Sequence, residues 1–303
     1  MREPRKVHLV GKGVIRFHAV YWPAMLLSAG LPLPSDIVVH DYLTAGGRKI
    51  SKSSGVTVDP VALVRAYGAD AVRWWLLREV PRVGDADFTE ERLVARADED
   101  LANGIGNLVN RVVTMVHRFQ DGHVTRHAGP GSLGVTAGSG SPAVTAGLGS
   151  SAVTGERDAA VASAGRALAT APERSPATDS GRANAAEAGL ALSEVVEAGR
   201  VLEEVVERAG RLVDEALADY DFRRATAAVQ AIVEAANAYV ERARPWRQPP
   251  AEREASLATL VAACRALAVQ LEPFLPSAAA RVAAAVDGER LPEPRPLFPR
   301  LGS

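Results

Sequence analysis

The run DIVVHDYLTAGGRKISKSSG (36–55) joins two kinds of sequence. Its opening residues, DIVVHDYLT, alternate enough to read as a β-strand. Its last ten, Gly46–Gly55, hold three cations, three serines and three glycines. Glycine lets a backbone approach a ligand closely, lysine offers phosphate a compact charge, and serine hydroxyls can donate to phosphate oxygens. On those ten residues two readings stay open: an exposed hairpin tip, or a loop that grips an anion.

Upstream, VHLVG (7–11) reads as a short buried strand. VIRFHAVYWPAMLLSAG (14–30) reads as a helix, kinked at Pro23 and ended by Gly30 before LPLP. Strand–helix–strand order predicts part of a parallel, doubly wound sheet. Downstream, VDPVALVRAYG (58–68) predicts a helix capped by Asp59 with Pro60 in its first turn, and Asp70 is the expected cap of the next helix. From Thr89 to Phe119 the apolar residues, among them Leu93, Leu101, Ile105, Leu108 and Val112, recur at helical spacing. Thr89 is followed three residues on by Arg92, so Asp87 with Glu90 is expected to form a weaker capping box.

Residues 122–185 differ sharply. Gly, Ala, Ser, Thr and Pro dominate, and GVTAG (134–138), AVTAG (143–147) and AVTG (152–155) form an imperfect repeat. Too few large side chains are present to offset the entropy of ordering, so a disordered insert is expected. Amphipathic helices resume near Ala186, and EASLATLVAACRALAVQLEPFLPSAAARVAAAV (254–286) is one long helix or two joined near Pro273. The expected organisation is an α/β domain at 1–88, a helical bundle from 89–121 and 186–287, the insert at 122–185, and a Pro-rich extended tail at 288–303.

Composition narrows the function classes. The 303 residues are 47% apolar and 23% charged, ordinary for a globular chain of about two domains. A formal net charge of −1 gives no global attraction to nucleic acid, so an RNA contact needs a local patch. The single cysteine, Cys264, excludes an internal disulfide and a cysteine-cluster zinc site. No apolar stretch reaches the roughly 18 residues of a membrane span, and a cytoplasmic location is expected.

KISKS (49–53) resembles the second signature of class I aminoacyl-tRNA synthetases, written KMSKS, with Ile50 in place of Met. The flanks are similar to one family of that class, the methionyl-tRNA synthetases. HLVGKGVIRFHAVYWPAMLLSAGLPLP (8–34) resembles the block that forms part of the methionine pocket. VDPVALVRAYGADAVRWWLLREVP (58–81) resembles the block after the signature loop. DLANGIGNLVNRVVTMVHRF (100–119) and ALADYDFRRATAAVQAIVEAANAYVERARPW (216–246) resemble helices of the anticodon-binding bundle.

The resemblance implies the C-terminal half of a class I Rossmann-like nucleotide-binding domain followed by an α-helical anticodon-binding bundle. It implies ATP and Mg²⁺ as cofactors and methionine and its tRNA as partners, with no zinc site in this chain and no membrane. Lys49 and Lys52 are the implied catalytic contacts to ATP phosphates, with Ser51 and Ser53 beside them. Val14 and His18 are the implied methionine-pocket residues; alone, His18 reads as a core or surface histidine. Asn107 and Arg111, one helical turn apart, and Trp246 are implied to meet the anticodon. Without the resemblance they read as a polar stripe and a helix-end packing residue. The family's GKD is Gly11-Lys12-Gly13 here, and its other signature, HIGH, does not occur in these residues. Three readings are therefore carried forward: a methionine–tRNA ligase or its C-terminal part, an inactive anticodon-binding fragment, and one half of a split enzyme whose HIGH half is a separate chain.

Overall fold

β1 (Val7–Gly11) and β2 (Asp36–His40) run parallel, in register from Val7 opposite Asp36 to Gly11 opposite His40. Parallel strands need a long crossover. Here it consists of a 3-10 turn at Lys12–Val14, a π-helical stretch at Phe17–Tyr21, and α1 (Trp22–Ser28). Pro23 sits in the first turn of α1, directly after the π-helical stretch. Its missing N–H cannot continue an α ladder, so the regular helix begins only there. At the other end, Gly30 has φ 67°, its N–H donates to Leu27 O, and Leu31 N–H donates to Leu26 O. This is a Schellman ending.

This computed structural model describes residues 5–50, 58–124 and 179–302, with residues 179–192 described by backbone alone. The chain divides into two units, one of residues 1–133 with 194–303, the other of residues 134–193. Most of the expected insert lies outside the described residues. In the second unit the described part is helical backbone from Asp179.

The single strand expected through 36–44 is corrected to two strands in different sheets. β2 ends at His40, and β3 (Leu43–Ala45) lies in a second sheet of order β4–β3–β5, with β4 (Arg48–Lys49) and β5 (Ala86–Phe88). The break has a local cause. Asp41 turns aside to accept from Gly84 N–H at 2.6 Å and to pair with Lys12 at 2.9 Å, while Tyr42 N–H donates to Asp85 at 2.9 Å. β3 and β4 form a hairpin through Gly46-Gly47, with φ 58° and 72°. Two positive φ angles define the turn whose twist suits a two-residue hairpin.

α2 (Pro60–Tyr67) starts as expected, with Asp59 accepting from Val61 N–H at 2.8 Å. Two other expected caps are corrected. α3 (Ala69–Glu79) is preceded by Gly68 at φ 85°, and Asp70 instead pairs with Arg281 at 2.9 Å. α4 (Glu90–Arg96) is capped by the Thr89 hydroxyl, which accepts from Arg92 N–H at 3.3 Å. Asp87 accepts from Thr44 Oγ1 at 2.6 Å and Gly47 N–H at 2.8 Å, so it braces the hairpin rather than the helix.

α4 continues through a π-helical stretch, Ala97–Gly106, into α5 (Asn107–Gln120). α6 (Asp179–Ala218), α7 (Phe222–Ala243), α8 (Pro250–Leu271) and α9 (Pro276–Ala285) complete the helices. The long apolar run thus divides in two, with Pro273 in the break. α8 is long and apolar enough to cross a membrane by length and composition, and 56% of that window is buried inside the protein. A helix apolar all round belongs at the centre of a core. Leu257, Leu260, Leu267 and Leu271 of α8 are fully buried. The Pro-rich tail has little regular structure but closes the bundle, with Leu291 and Phe298 buried.

A buried carboxylate fastens α3 to the bundle. Asp100, 7% exposed, accepts from Trp74 Nε1 at 2.9 Å, Arg78 Nε at 3.3 Å and Arg96 at 3.4 Å. Asp100→Ala leaves the buried indole N–H and the Arg78 guanidinium without this acceptor. The expected loss is about 2–3 kcal/mol of unfolding free energy, the range for hydrogen bonds to a charged group. Asp100→Asn, which keeps an acceptor for Trp74, should lose less. Urea unfolding of both variants checks the order.

Candidate functional site

Three groups of expected site residues can be placed. The first lies around the hairpin that leads into KISKS. Lys49 is the exposed last residue of β4, and its Nζ lies 4.5 Å from the centroid of the Tyr42 ring. Lys12 Nζ lies 4.7 Å from the same ring and pairs with Asp85 at 2.6 Å and Asp41 at 2.9 Å. Hydrogen bonds that Lys12 donates to Asp85 and then to Asp41 raise its ammonium above its usual range. Asp85 is lowered first by Lys12 and then by Tyr42 N–H, whereas Asp41 is lowered first by Gly84 N–H and then by Lys12. Ser51, Lys52 and Ser53 lie outside the described residues.

The second group is Val14 and His18. The ring Nδ1 of His18 lies 3.1 Å from Val14 O, one turn back. His8 of β1 meets the His18 ring edge-on at 5.9 Å. Val14 is 43% exposed, and Leu9, Phe17, Val20 and Met25 beside it in sequence are between 55% and 68% exposed. The expected pocket residues therefore lie on an open apolar face of the β1–α1–β2 unit.

The third group lies on the bundle. Arg111 of α5 pairs with Glu241 of α7 at 2.7 Å, and its guanidinium sits 5.7 Å from the Trp246 ring. Asn107 is exposed one turn before Arg111 on α5. Trp246 stands on a 3-10 turn, Pro245–Arg247, and is 40% exposed. Arg253 holds that turn, donating to Pro245 O at 3.0 Å and Gln248 O at 2.6 Å, with its guanidinium 4.6 Å from the Phe119 ring. A partly exposed indole beside a guanidinium suits an unstacked nucleobase.

A family model described as "tRNA synthetases class I (M)" matches residues 2–113, and one described as "Anticodon binding domain of methionyl tRNA ligase" matches residues 191–297. The chain belongs to the methionyl-tRNA synthetase family. It is 51% identical over 126 residues to the methionine–tRNA ligase of Thermosynechococcus vestitus, covering 42% of this chain and 24% of that protein. Against the Bacillus subtilis methionine–tRNA ligase it is 48% identical over 126 residues, covering 42% of this chain and 19% of the other. The solved structure of Mycobacterium tuberculosis methionyl-tRNA synthetase bound by methionyl-adenylate matches 98% of this chain and 50% of that one, with a TM-score of 0.69 at 28% identity. The chain thus spans a quarter or less of these curated relatives in the matched stretches, and half of the solved synthetase. The mixed α/β start and helical remainder are the class I synthetase fold.

Tyr42, Lys12, Asp41 and Asp85 escaped the sequence reading because the strand pattern absorbed Tyr42 and Asp41. Glu241 escaped because its partner lies 130 positions away. Arg253 carried no local signal.

The Lys12 cluster sets a pH dependence. Both carboxylates are lowered in the folded chain, so their contribution is complete above the unfolded value of about 3.9. It is lost as the pH falls through their folded values. Lys12→Met should raise both carboxylates toward their ordinary range, and Asp85 further than Asp41, because Lys12 is the first cause for Asp85 whereas Gly84 N–H is the first for Asp41. Carboxyl carbon NMR titration reads the two separately.

Proposed function

We propose that the chain serves as part of a methionine–tRNA ligase acting in the cytoplasm, with its KISKS hairpin at the ATP phosphates and its bundle on the tRNA anticodon. The observation that carries this reading is the match of 98% of the chain to one half of a synthetase holding methionyl-adenylate. In the proposed reaction the methionine carboxylate attacks the α-phosphate of ATP, and pyrophosphate leaves. A hydroxyl of the terminal adenosine of the tRNA then attacks the methionyl carbonyl, and AMP leaves. Among the described residues no cluster of His, Cys, Asp and Glu is arranged to hold a metal. Magnesium would arrive on the phosphates as part of the ATP complex.

The expected lysines, pocket residues and anticodon residues each have a role in that scheme. Lys49 and Lys52 stabilise the charge that develops on the phosphates, where fixed cations act most strongly once water is excluded. Val14 supplies an apolar wall for the methionine side chain. His18, held on Val14 O, presents its ring beside that wall. Trp246 stacks on an anticodon base while Arg111 and Asn107 donate to its edge.

The open face of β1 and α1 supports a division of labour. Among the described residues β1 pairs only with β2, which leaves its other edge without a described partner strand, and Leu9 on β1 is 68% exposed. Such an edge invites strand addition. The reading assigns it to the other half of the class I fold, in the same polypeptide or from a separate chain. Residues 1–303 by themselves should show no methionine-dependent ATP–pyrophosphate exchange. Adding a polypeptide that matches the other half of the M. tuberculosis enzyme should restore exchange and slow hydrogen exchange along β1. Activity of residues 1–303 alone would sink this division.

A second reading has its own support. The bundle has a continuous buried core, independent of the open sheet edge. Anticodon binding without catalysis is therefore compatible with the same chain. For both readings Trp246→Ala should weaken binding of a methionine-tRNA anticodon stem-loop by about 1–3 kcal/mol, the worth of one base stack. Equal affinity for an anticodon-swapped stem-loop counts against both.

A further inference from the structure

The geometry points to Tyr42 as a positioning residue that pre-aligns the Lys49 ammonium for an oligophosphate. The inference rests on the reading of Lys49 as a phosphate contact and deepens it.

Tyr42 sits on a braced stretch of backbone, and its ring meets Lys12 and Gly13. Its backbone N–H is held by Asp85 at 2.9 Å, and the neighbouring Asp41 is held by Gly84 N–H at 2.6 Å. Lys12 Nζ lies 4.7 Å from the ring centroid, and Lys12 is itself anchored by Asp85 and Asp41. The phenol oxygen lies 2.5 Å from where a Cβ on residue 13 would stand, so only a glycine there lets the ring keep this pose. Gly13 is also where the family's GKD pattern has its aspartate.

Lys49 comes to this ring from the hairpin, with Nζ 4.5 Å from the centroid. A lysine side chain loses about 2 kcal/mol of rotamer entropy when it is ordered. An ammonium on a ring face has already lost part of it. The ring therefore favours binding by orienting Lys49, and it makes no contact with the phosphate in this scheme.

The test uses the full chain, two-dimensional NMR of the lysine ε-methylenes, and calorimetric titration with tripolyphosphate. The Lys49 ε-methylene should be shifted upfield by the ring. Tyr42→Leu should abolish that shift and weaken tripolyphosphate binding by about two- to five-fold, the worth of an exposed cation–π contact. Tyr42→Phe should retain both. Gly13→Ala, whose methyl collides with the phenol oxygen, should behave like Tyr42→Leu. The double variant Gly13→Ala with Tyr42→Phe should recover the shift and the affinity, because the nearest ring carbon is then 3.7 Å away. A general folding defect would not be rescued in that way. Lys49→Ala that leaves affinity unchanged defeats the phosphate reading and this inference together. If Lys49→Ala weakens binding but Tyr42→Leu does not, or if Lys49 shows no upfield shift, this inference alone is overturned.

Discussion

The buried carboxylate of Asp100 is the constraint on which the placement of the other parts depends. A charge taken out of water costs several kcal/mol unless it is paired and hydrogen-bonded. Asp100 meets that condition with the Trp74 indole and the guanidinium groups of Arg78 and Arg96. Two of those donors come from α3 and one from α4, while Asp100 itself sits in the π-helical stretch that runs into α5. The contact therefore sets where α5 begins relative to the α/β elements. Asn107 and Arg111 follow in the next two turns. Arg96 also pairs with Glu79 at 2.7 Å, and Arg73 donates to Phe274 O at 2.8 Å, so α3 is fastened at several points along its length.

The two ends of the molecule solve the burial problem differently. The bundle places Trp74, Leu93, Ile232 and Leu267 in one continuous core. The β1–α1–β2 unit has Val10 as its one buried apolar residue among the described residues from 5 to 50. Two strands and one short helix cannot enclose a core by themselves. Their apolar side chains, Leu9, Phe17 and Met25 among them, instead remain a face.

Much of this was legible in the sequence where the causes are local. Gly30, Asp59 and Pro60 end or start their helices through bonds within a few residues, and each was read correctly. The strand–helix–strand order gave the parallel pair. Asp70 and Asp87 misled because the chemistry that caps a helix also suits a distant partner. Arg281 claims Asp70 from 211 positions away, and Thr44 with Gly47 claims Asp87. The break at Asp41–Tyr42 was hidden for the same reason, since Gly84 and Asp85 act from 43 residues further on. For the anticodon group the residue types were visible, but the meeting of Arg111, Glu241 and Trp246 depends on how α5 and α7 pack.

The same distinction explains why the anticodon group can be both ordered and available. Glu241 is 64% exposed in its side chain and Arg111 34%, so water screens their pair. Such a pair contributes at most about 1 kcal/mol, and often less. Arg111 can exchange this partner for the edge of a base at little cost. Trp246 is different, because its backbone turn is held by Arg253 through two carbonyls and cannot be surrendered so cheaply. A rigid aromatic surface beside an exchangeable cation lets stacking define the position of a base before hydrogen bonds test its identity. Under the proposed anticodon role, this geometry separates placement from selection within one small patch of the bundle.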